Sequence, residues 1–277
     1  MRQWTIDAFA TAAFKGNQAC VVEPLDTWPD AGWMQALAAE NNQAETAFLL
    51  KTADPARFNL RWFTPALEVP LCGHATLASA YVIFNFLTTT LSEIRFATCS
   101  GELKVVRGDK GLILSLPSAA SEPFTPPPGF AQALGAAVGG TPPTEFHFAN
   151  KGGAGAGALI AVWPSPADIK SLKPDGNLES VLLQIKAGSL LATSKGDGAP
   201  YDFVSRFFAP YFGVPEDPVT GSAHCALTPF WANRLGKKTL LARQVSARGG
   251  DLICTDAGAR TILEGPCALY LTGEIEV

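Results

Sequence analysis

The amino-acid sequence predicts an α+β protein of two pseudo-symmetric domains, each a curved, mostly antiparallel sheet around one central helix. The first observation is an internal repeat: a motif that begins at Arg61 returns 145 residues later at Arg206, and Phe, Pro, Val and Pro follow at matching places in both copies. The second is that short apolar or alternating runs, bounded by Gly, Pro or Asp, outnumber helical patterns in both halves. A duplicated unit of this kind suggests similar domains with a ligand-binding cleft between them.

Strand patterns occupy most of the first half. The predicted strands cover residues 3–9, 19–23, 46–50, 58–63, 94–97, 101–107 and 111–116. A predicted helix over 30–42 has its apolar residues at helical spacing and stops at an Asn pair. A second helix over 74–86 is apolar nearly all round, which predicts that it is buried at the centre of the sheet.

The Pro-rich segment 118–127 is the predicted linker between an N-terminal domain of residues 1–117 and a C-terminal domain of residues 128–265. The last strand, about 266–277, can join the N-terminal domain. Strands are predicted over 144–149, 158–162, 188–194, 202–208, 244–247, 251–255, 260–264 and 268–272, and helices over 167–173, 177–185 and 222–235. The glycine run from Lys151 to Gly157 lacks the context of a phosphate loop and is interpreted as a flexible turn.

The composition of the 277 residues excludes several classes of partner. Hydrophobic residues make up 47% and charged residues 17%, the net charge is −4, and no run of Lys or Arg points to nucleic acid or an anionic membrane. No uninterrupted apolar stretch of membrane-spanning length occurs, and the N-terminus is typical of a strand, so we expect a cytoplasmic protein. The six cysteines form no C-x-x-C pair and the three histidines lack metal-ligand spacing, so we expect neither disulfides nor a metal site.

The starts of the two central helices are candidate anion-binding sites. Gly73-His74 opens the first helix, and Gly221-Ser222 opens the second. The first turn of a helix presents unpaired N–H groups and a partial positive charge, and glycine lets a ligand approach the backbone closely. Taken singly, these are ordinary turn glycines and Ser222 is an N-cap. Taken as a matched pair, they predict a cradle for a carboxylate.

Glu45 is the candidate acid/base. It ends a polar run and precedes an apolar strand, where partial desolvation would let a carboxyl group both take and return a proton. The alternative is a solvated Glu after a helix. The residue 145 positions later is Leu190, so the sequence offers one such base rather than two. His74 is either a hydrogen-bond donor at the helix start or a core histidine.

Asp217 and Cys72 also have two interpretations each. Asp217 precedes a proline and either caps the next helix or holds an amino or hydroxyl group of a substrate. Cys72 lies opposite Asp217 in the ungapped repeat. It either packs in the core or acts as a base at a helix N-terminus.

Together these motifs resemble the PhzF-like (phenazine biosynthesis) family, which has the diaminopimelate epimerase-like fold. The order and spacing of the matching motifs extend from residue 6 to about 235, and two positions depart from the family pattern: Gln18 replaces a Pro, and Gln43-Ala44 replaces Leu-Ser beside Glu45. The motifs that carry the resemblance are Ile6-Asp7-Ala8-Phe9 with Gly16-Asn17, Glu45-Thr46-Ala47-Phe48, Arg61-x-Phe63-Thr64-Pro65, Cys72-Gly73-His74-Ala75-Thr76-Leu77 and Glu216-Asp217-Pro218-Val219-Thr220-Gly221-Ser222-Ala223.

The resemblance implies an isomerase without metal or organic cofactor, which acts on a small carboxylate-bearing substrate and forms a homodimer. Glu45 would move a proton between carbons of an unsaturated or cyclic amino or hydroxy acid. His74 and Asp217 would be the other catalytic residues. The implied substrate-binding residues are Cys72, Gly73, Thr76, Gly221 and Ser222.

Two other functions stay open. A two-base racemase or epimerase on the same fold needs thiols on opposite faces of the substrate carbon, and Cys72 has no evident partner thiol. A binding protein without catalytic activity would only sequester a small metabolite.

Overall fold

The computed structural model describes residues 1–149, 157–198 and 200–276. The chain divides into two compact units, the first formed by residues 1–116 and 262–277 and the second by residues 117–261. The predicted glycine turn lies outside the described residues except for Gly157, which begins a strand. In the described part of the chain, no helix is long and apolar enough to cross a membrane.

The two halves of the chain have a similar order of elements, with additional elements in the second half. The elements are β1 (Arg2–Ala8), β2 (Asn17–Val22), α1 (Ala31–Asn41), β3 (Glu45–Lys51), β4 (Arg57–Phe63), β5 (Glu68–Val69), α2 (Gly73–Val82), β6 (Glu93–Thr98), β7 (Gly101–Arg107), β8 (Leu112–Pro117), β9 (Ser121–Pro123), α3 (Phe130–Ala137), β10 (Glu145–Ala149), β11 (Gly157–Val162), α4 (Pro166–Ser171), α5 (Leu178–Leu183), β12 (Ala187–Lys195), β13 (Phe203–Ala209), β14 (Val214–Asp217), α6 (Gly221–Leu235), β15 (Thr239–Gln244), β16 (Gly250–Ala257), β17 (Arg260–Gly265) and β18 (Cys267–Glu274).

Strand pairing confirms the predicted duplication. In the first unit the sheet runs β18-β1-β2-β3-β4-β6-β7-β8, with β5 also on β4; β2–β3 and β4–β6 are parallel. In the second unit it runs β9-β10-β11-β12-β13-β15-β16, with β14 on β13; β11–β12 and β13–β15 are parallel. The pairings from β1 to β7 therefore recur from β10 to β16. Segment 118–127, the predicted linker, contains β9, which adds a strand to the second sheet.

Each sheet packs against one mostly buried helix, as predicted. Every residue of α2 except Tyr81 is buried, since the helix has no Asp, Glu, Lys or Arg, and it continues as a π-helix over Ile83–Leu87. Its counterpart α6 buries most of its 15 residues. In the first unit, α1 lies on the other face of the sheet, where Met34 and Leu37 pack with Phe48 and Phe63.

The repeat is not gapless. Arg61 in β4 makes a two-point ion pair with Glu68, at 2.7 Å for both bonds. Arg206 in β13 pairs in the same way with Glu216, at 2.7 and 2.8 Å. Seven positions separate the first pair and ten the second, because a 3-10 turn over Pro210–Phe212 is inserted in the second unit.

The insertion shifts the equivalences at the central helices. The N-cap residues are Cys72 in α2 and Thr220 in α6, so the ungapped pairing of Cys72 with Asp217 is wrong. Strand register also corrects the partner of Glu45. Because Phe48 pairs with Arg61 and Ala192 with Arg206, the position equivalent to Glu45 is Ser189 rather than Leu190. The second unit still offers no acid at that position.

Some element predictions differ from the structure, and the short strands β5, β9 and β14 were not predicted. The strand predicted over 244–247 lies earlier, at Thr239–Gln244, where buried Leu240 and Ala242 alternate with exposed neighbours. The helix α3 was not predicted. Its apolar residues Phe130, Leu134 and Ala137 have helical spacing, but prolines and glycines on both sides obscure the pattern.

Candidate active site

Glu45 is the first residue of β3, and the alternation of that strand turns its side chain toward α2. Thr46 and Phe48 point to the opposite face, where Phe48 packs with Met34 of α1. The amide of Asn41 donates a hydrogen bond to the Thr46 hydroxyl at 3.1 Å and anchors the start of the strand. Glu45 is therefore held at the start of an interior strand with its side chain 16% exposed, rather than free in solvent.

His74 is the second residue of α2, and its side chain is only 5% exposed. Its Nε2 lies 2.8 Å from Oε2 of Glu45. The two atoms are at ion-pair distance, but their orientation is not that of an aligned hydrogen bond. The central helix α2 and the start of β3 thus bring an acid and a base into contact inside the first unit.

The other ring nitrogen of His74 has two neighbours. Nδ2 of Asn17, at the start of β2, lies 3.1 Å from Nδ1, and the thiol of Cys72 lies 3.5 Å from it. Asn17 was not singled out as a site residue by its sequence. Its position in the Gly16-Asn17 motif was the available signal, but only the fold brings it to His74.

Burial and charge compete in this cluster. Burial is the largest effect on His74 and lowers its pKa, but the adjacent Cys72 and Glu45 side chains outweigh it and raise the pKa well above 6.5. Burial also raises the pKa of Cys72 to about 11, and the charge of Glu45 adds to that rise. Because Cys72 is a neutral thiol at neutral pH, the carboxylate of Glu45 is the charge that favours a protonated His74.

Glu45, Cys72 and His74 offer ligand atoms within 4.8 Å of one another. A carboxylate, a thiolate and an imidazole are donors that zinc accepts. In this cluster, however, the carboxylate lies beside Nε2 and the thiol beside Nδ1. Each of the two donors thus contacts a different ring nitrogen. Three donors this close could also hold a metal ion, so the expectation of no metal site stays a prediction.

The start of α2 completes the candidate site in the first unit. Cys72 makes no side-chain cap bond, and Gly73 is the first helical residue. The helix N-terminus therefore lies next to the Glu45–His74 pair, which places N–H groups and partial positive charge beside the acid/base. Thr76 is fully buried and its hydroxyl donates to the Cys72 carbonyl at 2.5 Å, so it serves the first turn of the helix.

In the second unit, Asp217, Gly221 and Ser222 lie together on the segment that leads into α6. The hydroxyl of Thr220 donates to the carboxylate of Asp217. Gly221 and Ser222 are the first two residues of α6, whose N-cap Thr220 also makes no side-chain cap bond. Gln244 of β15 is hydrogen-bonded to this segment. Nothing in the local sequence around Gln244 indicated that role. The predicted cleft shared by both helix starts stays a prediction.

The comparisons with known proteins decide the family. The family model for phenazine biosynthesis-like proteins matches residues 6–261. The chain belongs to the phenazine biosynthesis-like (PhzF) family. An uncharacterized isomerase of Pseudomonas aeruginosa is 41% identical over 272 residues, which cover 98% of this chain and 97% of that protein. The human phenazine biosynthesis-like domain-containing protein is 39% identical over 287 residues, 97% and 96% of the two chains.

Solved structures agree with this family. The crystal structure of a PhzF family protein from Enterococcus faecalis is similar with a TM-score of 0.87 and 36% identity, over 100% of this chain and 99% of that one. A hydroxyproline epimerase from Agrobacterium vitis is similar with a TM-score of 0.61 at 12% identity, over 99% and 91%. The latter shows the fold alone. The predicted diaminopimelate epimerase-like fold is confirmed.

Proposed function

We propose that this protein is a cofactor-independent isomerase in which Glu45 moves a proton between two carbons of a small carboxylate-bearing substrate. Membership of the PhzF family and relatives named as isomerases support isomerase activity in general. The single observation that carries the finer proposal is the contact of 2.8 Å between the Glu45 carboxylate and the buried imidazole of His74.

The proposed chemistry needs one group that removes a proton from carbon and then returns it to another carbon. A carboxyl group at the start of a strand can do both, because it accepts a proton when ionised and donates one when protonated. Before the first transfer, His74 contacts the Glu45 carboxylate and holds it in place. While the proton resides on Glu45, His74 keeps the carboxyl group in place.

The negative charge that develops on the substrate needs preformed donors. The N-terminus of α2 supplies them beside Glu45, with Gly73 allowing close approach of a substrate carboxylate. The proposal also includes Asp217, Gly221 and Ser222 as substrate-binding groups, as the family resemblance implies. It further includes a homodimer, which light scattering would test.

A two-base racemase is less well supported. It needs a second thiol, but the N-cap of α6, equivalent to Cys72, is Thr220. Cys72 itself is held as a neutral thiol by its pKa of about 11. A racemase would invert a chiral amino acid, whereas the proposed isomerase moves a double bond.

The test uses a panel of small unsaturated or cyclic amino and hydroxy acids in deuterated water, followed by NMR for deuterium uptake and double-bond migration. Glu45→Gln should keep the fold and lower turnover by about 10³-fold, since general acid–base catalysis contributes roughly 10² to 10⁴. The matched control is Glu40→Gln, an exposed acid on α1, which should behave as wild type.

Near-normal turnover by Glu45→Gln would overturn the proposal. So would inversion without double-bond migration, which supports the racemase. If ligands bind equally to wild type and Glu45→Gln and none takes up deuterium, the protein is a binding protein instead.

A further inference from the structure

The amide of Gln244 connects the end of β15 to the segment that precedes α6. The side chain is fully buried. Its oxygen accepts the backbone N–H of Thr220 at 2.9 Å, and its nitrogen donates to the carbonyl of Asp217 at 2.6 Å and to the hydroxyl of Thr220 at 3.2 Å. Both N–H groups of this amide and its oxygen are directed at one short turn.

The orientation of this amide is fixed by its backbone partners. The N–H of Thr220 can only donate, so it must face the oxygen of Gln244, and the carbonyl of Asp217 can only accept, so it must face the nitrogen. The Thr220 hydroxyl therefore faces an N–H donor and acts as an acceptor toward Gln244. A hydroxyl has a single proton, and here that proton is left for the carboxylate of Asp217, which the hydroxyl contacts.

We infer that Gln244 and Thr220 are positioning residues for Asp217: the buried amide orients the hydroxyl, and the hydroxyl holds the Asp217 carboxylate as an ionised hydrogen-bond acceptor in a fixed direction. A hydrogen bond donated to the charged form stabilises that form. The consequence for catalysis rests on the proposed role of Asp217 in substrate binding. The chain of hydrogen bonds from Gln244 through Thr220 to Asp217, called the relay below, does not depend on that role.

The turn also contains a bond outside the relay, which offers a matched control. The hydroxyl of Ser246 donates to the carbonyl of Pro218 at 2.8 Å. Removing it weakens the turn without touching the path from Gln244 through Thr220 to the carboxylate. A residue that merely stabilises the turn should therefore behave like Ser246.

The experiment follows the carboxyl carbon of Asp217 by NMR during a pH titration of the intact protein, without substrate. Thr220→Val removes the hydroxyl and should raise the titration midpoint of Asp217 by about one pH unit. Thr220→Ser keeps a hydroxyl and should restore the wild-type midpoint. Gln244→Met should raise the midpoint by a smaller amount, because the hydroxyl remains but is no longer oriented.

Two further variants separate positioning from general stability. Ser246→Ala should leave the midpoint unchanged. The double variant Gln244→Met with Thr220→Val should match Thr220→Val alone, because the amide acts through the hydroxyl. An unchanged midpoint in Thr220→Val, no restoration in Thr220→Ser, or a shift in Ser246→Ala equal to that in Gln244→Met would overturn the inference.

The outcome is distinguishable from failure of the proposed function. If the midpoints shift as expected but Asp217→Asn leaves isomerisation intact, the relay stands and the assignment of Asp217 to substrate binding fails. If Asp217→Asn abolishes isomerisation while the midpoints do not shift, the function stands and the relay fails.

Discussion

The amide nitrogen of Asn17 lies 3.1 Å from Nδ1 of His74, on the side of the ring away from Glu45. An N–H donor at Nδ1 leaves the proton of a neutral imidazole on Nε2, facing the carboxylate. If His74 is protonated at both nitrogens, the amide must turn and present its oxygen. Asn17 can therefore form a hydrogen bond with His74 in either protonation state.

Replacing Asn17 with Asp should stabilise the protonated form. The new carboxylate can only accept from Nδ1–H when ionised, so the pKa of His74, already raised, should rise further. The measurement is a pH titration of the ring nitrogens by ¹⁵N NMR. The control is Gln18→Glu, which adds the same charge on the opposite face of β2. Equal titration of His74 in the two variants would contradict the assigned contact.

Stability in acid should depend on His224. Burial lowers its pKa to about 4, an effect that its hydrogen bond to the Thr220 carbonyl only partly offsets. As pH falls from 6.5 to about 4, the unfolded chain binds a proton that the folded protein does not. Stability should therefore fall with pH by up to ~1.4 kcal/mol per pH unit. His224→Gln should remove this part of the slope, as measured by urea unfolding across that range.

His74 should affect the pH dependence of stability in a different pH range from His224, and its contribution should be lost as pH rises rather than as pH falls. Because its folded-state pKa lies above 6.5, its contribution to stability is complete below that value and is lost as pH rises through the folded-state pKa. His74→Gln should change the alkaline side of the stability curve and leave the slope between pH 4 and 6.5 as in wild type. Identical curves for the His74 and His224 variants would count against both assignments.

The two symmetric arginines should differ in their effect on stability. The Arg206 side chain is 10% exposed and also donates to the carbonyl of Leu172 at 2.6 Å, whereas that of Arg61 is 28% exposed. Arg206→Met leaves a carboxylate and a buried carbonyl without their donor and should cost about 3–5 kcal/mol of unfolding free energy. Arg61→Met, the matched control, should cost about 1 kcal/mol. The measurement is denaturant unfolding of both variants. Equal losses of unfolding free energy would contradict the expectation that burial makes the Arg206 pair more important.

Cys72 should not be an essential base. With its pKa raised to about 11 by burial and by the charge of Glu45, it carries no thiolate at neutral pH. Cys72→Ala should therefore keep deuterium uptake within about tenfold of wild type, because it removes neither proton carrier. Thiolate absorbance on alkaline titration would check the pKa directly. Loss of exchange comparable to that of Glu45→Gln would instead favour a thiol base.

Much of the fold was predictable because strand alternation and the two apolar helices are local patterns. The repeat was visible because Arg61 and Arg206 keep the same neighbours. The true register of the repeat was not visible. The second copy has an inserted turn between Arg206 and Glu216, and only the two ion pairs show where it lies. Pairing in space, rather than spacing in the chain, supplied that alignment.

The same limit applies to the candidate site. Glu45 and His74 could be identified from local sequence patterns. Glu45 lies at the start of a predicted strand, and His74 lies at the start of a predicted helix. Asn17 and Gln244 could not be identified in this way, because their importance arises from contacts with residues 57 and 24 positions away. A single sequence contains no pattern that ties an asparagine in one strand to a ring in a distant helix.

The return of the chain to its first unit has a consequence for folding. Residues 117–261 form a complete unit, but the first unit needs residues 262–277 for the strand that pairs with β1. Without them, the second unit can fold while the first keeps an open sheet edge. A released chain truncated after residue 261 should therefore resist protease in its second unit and be cut in its first.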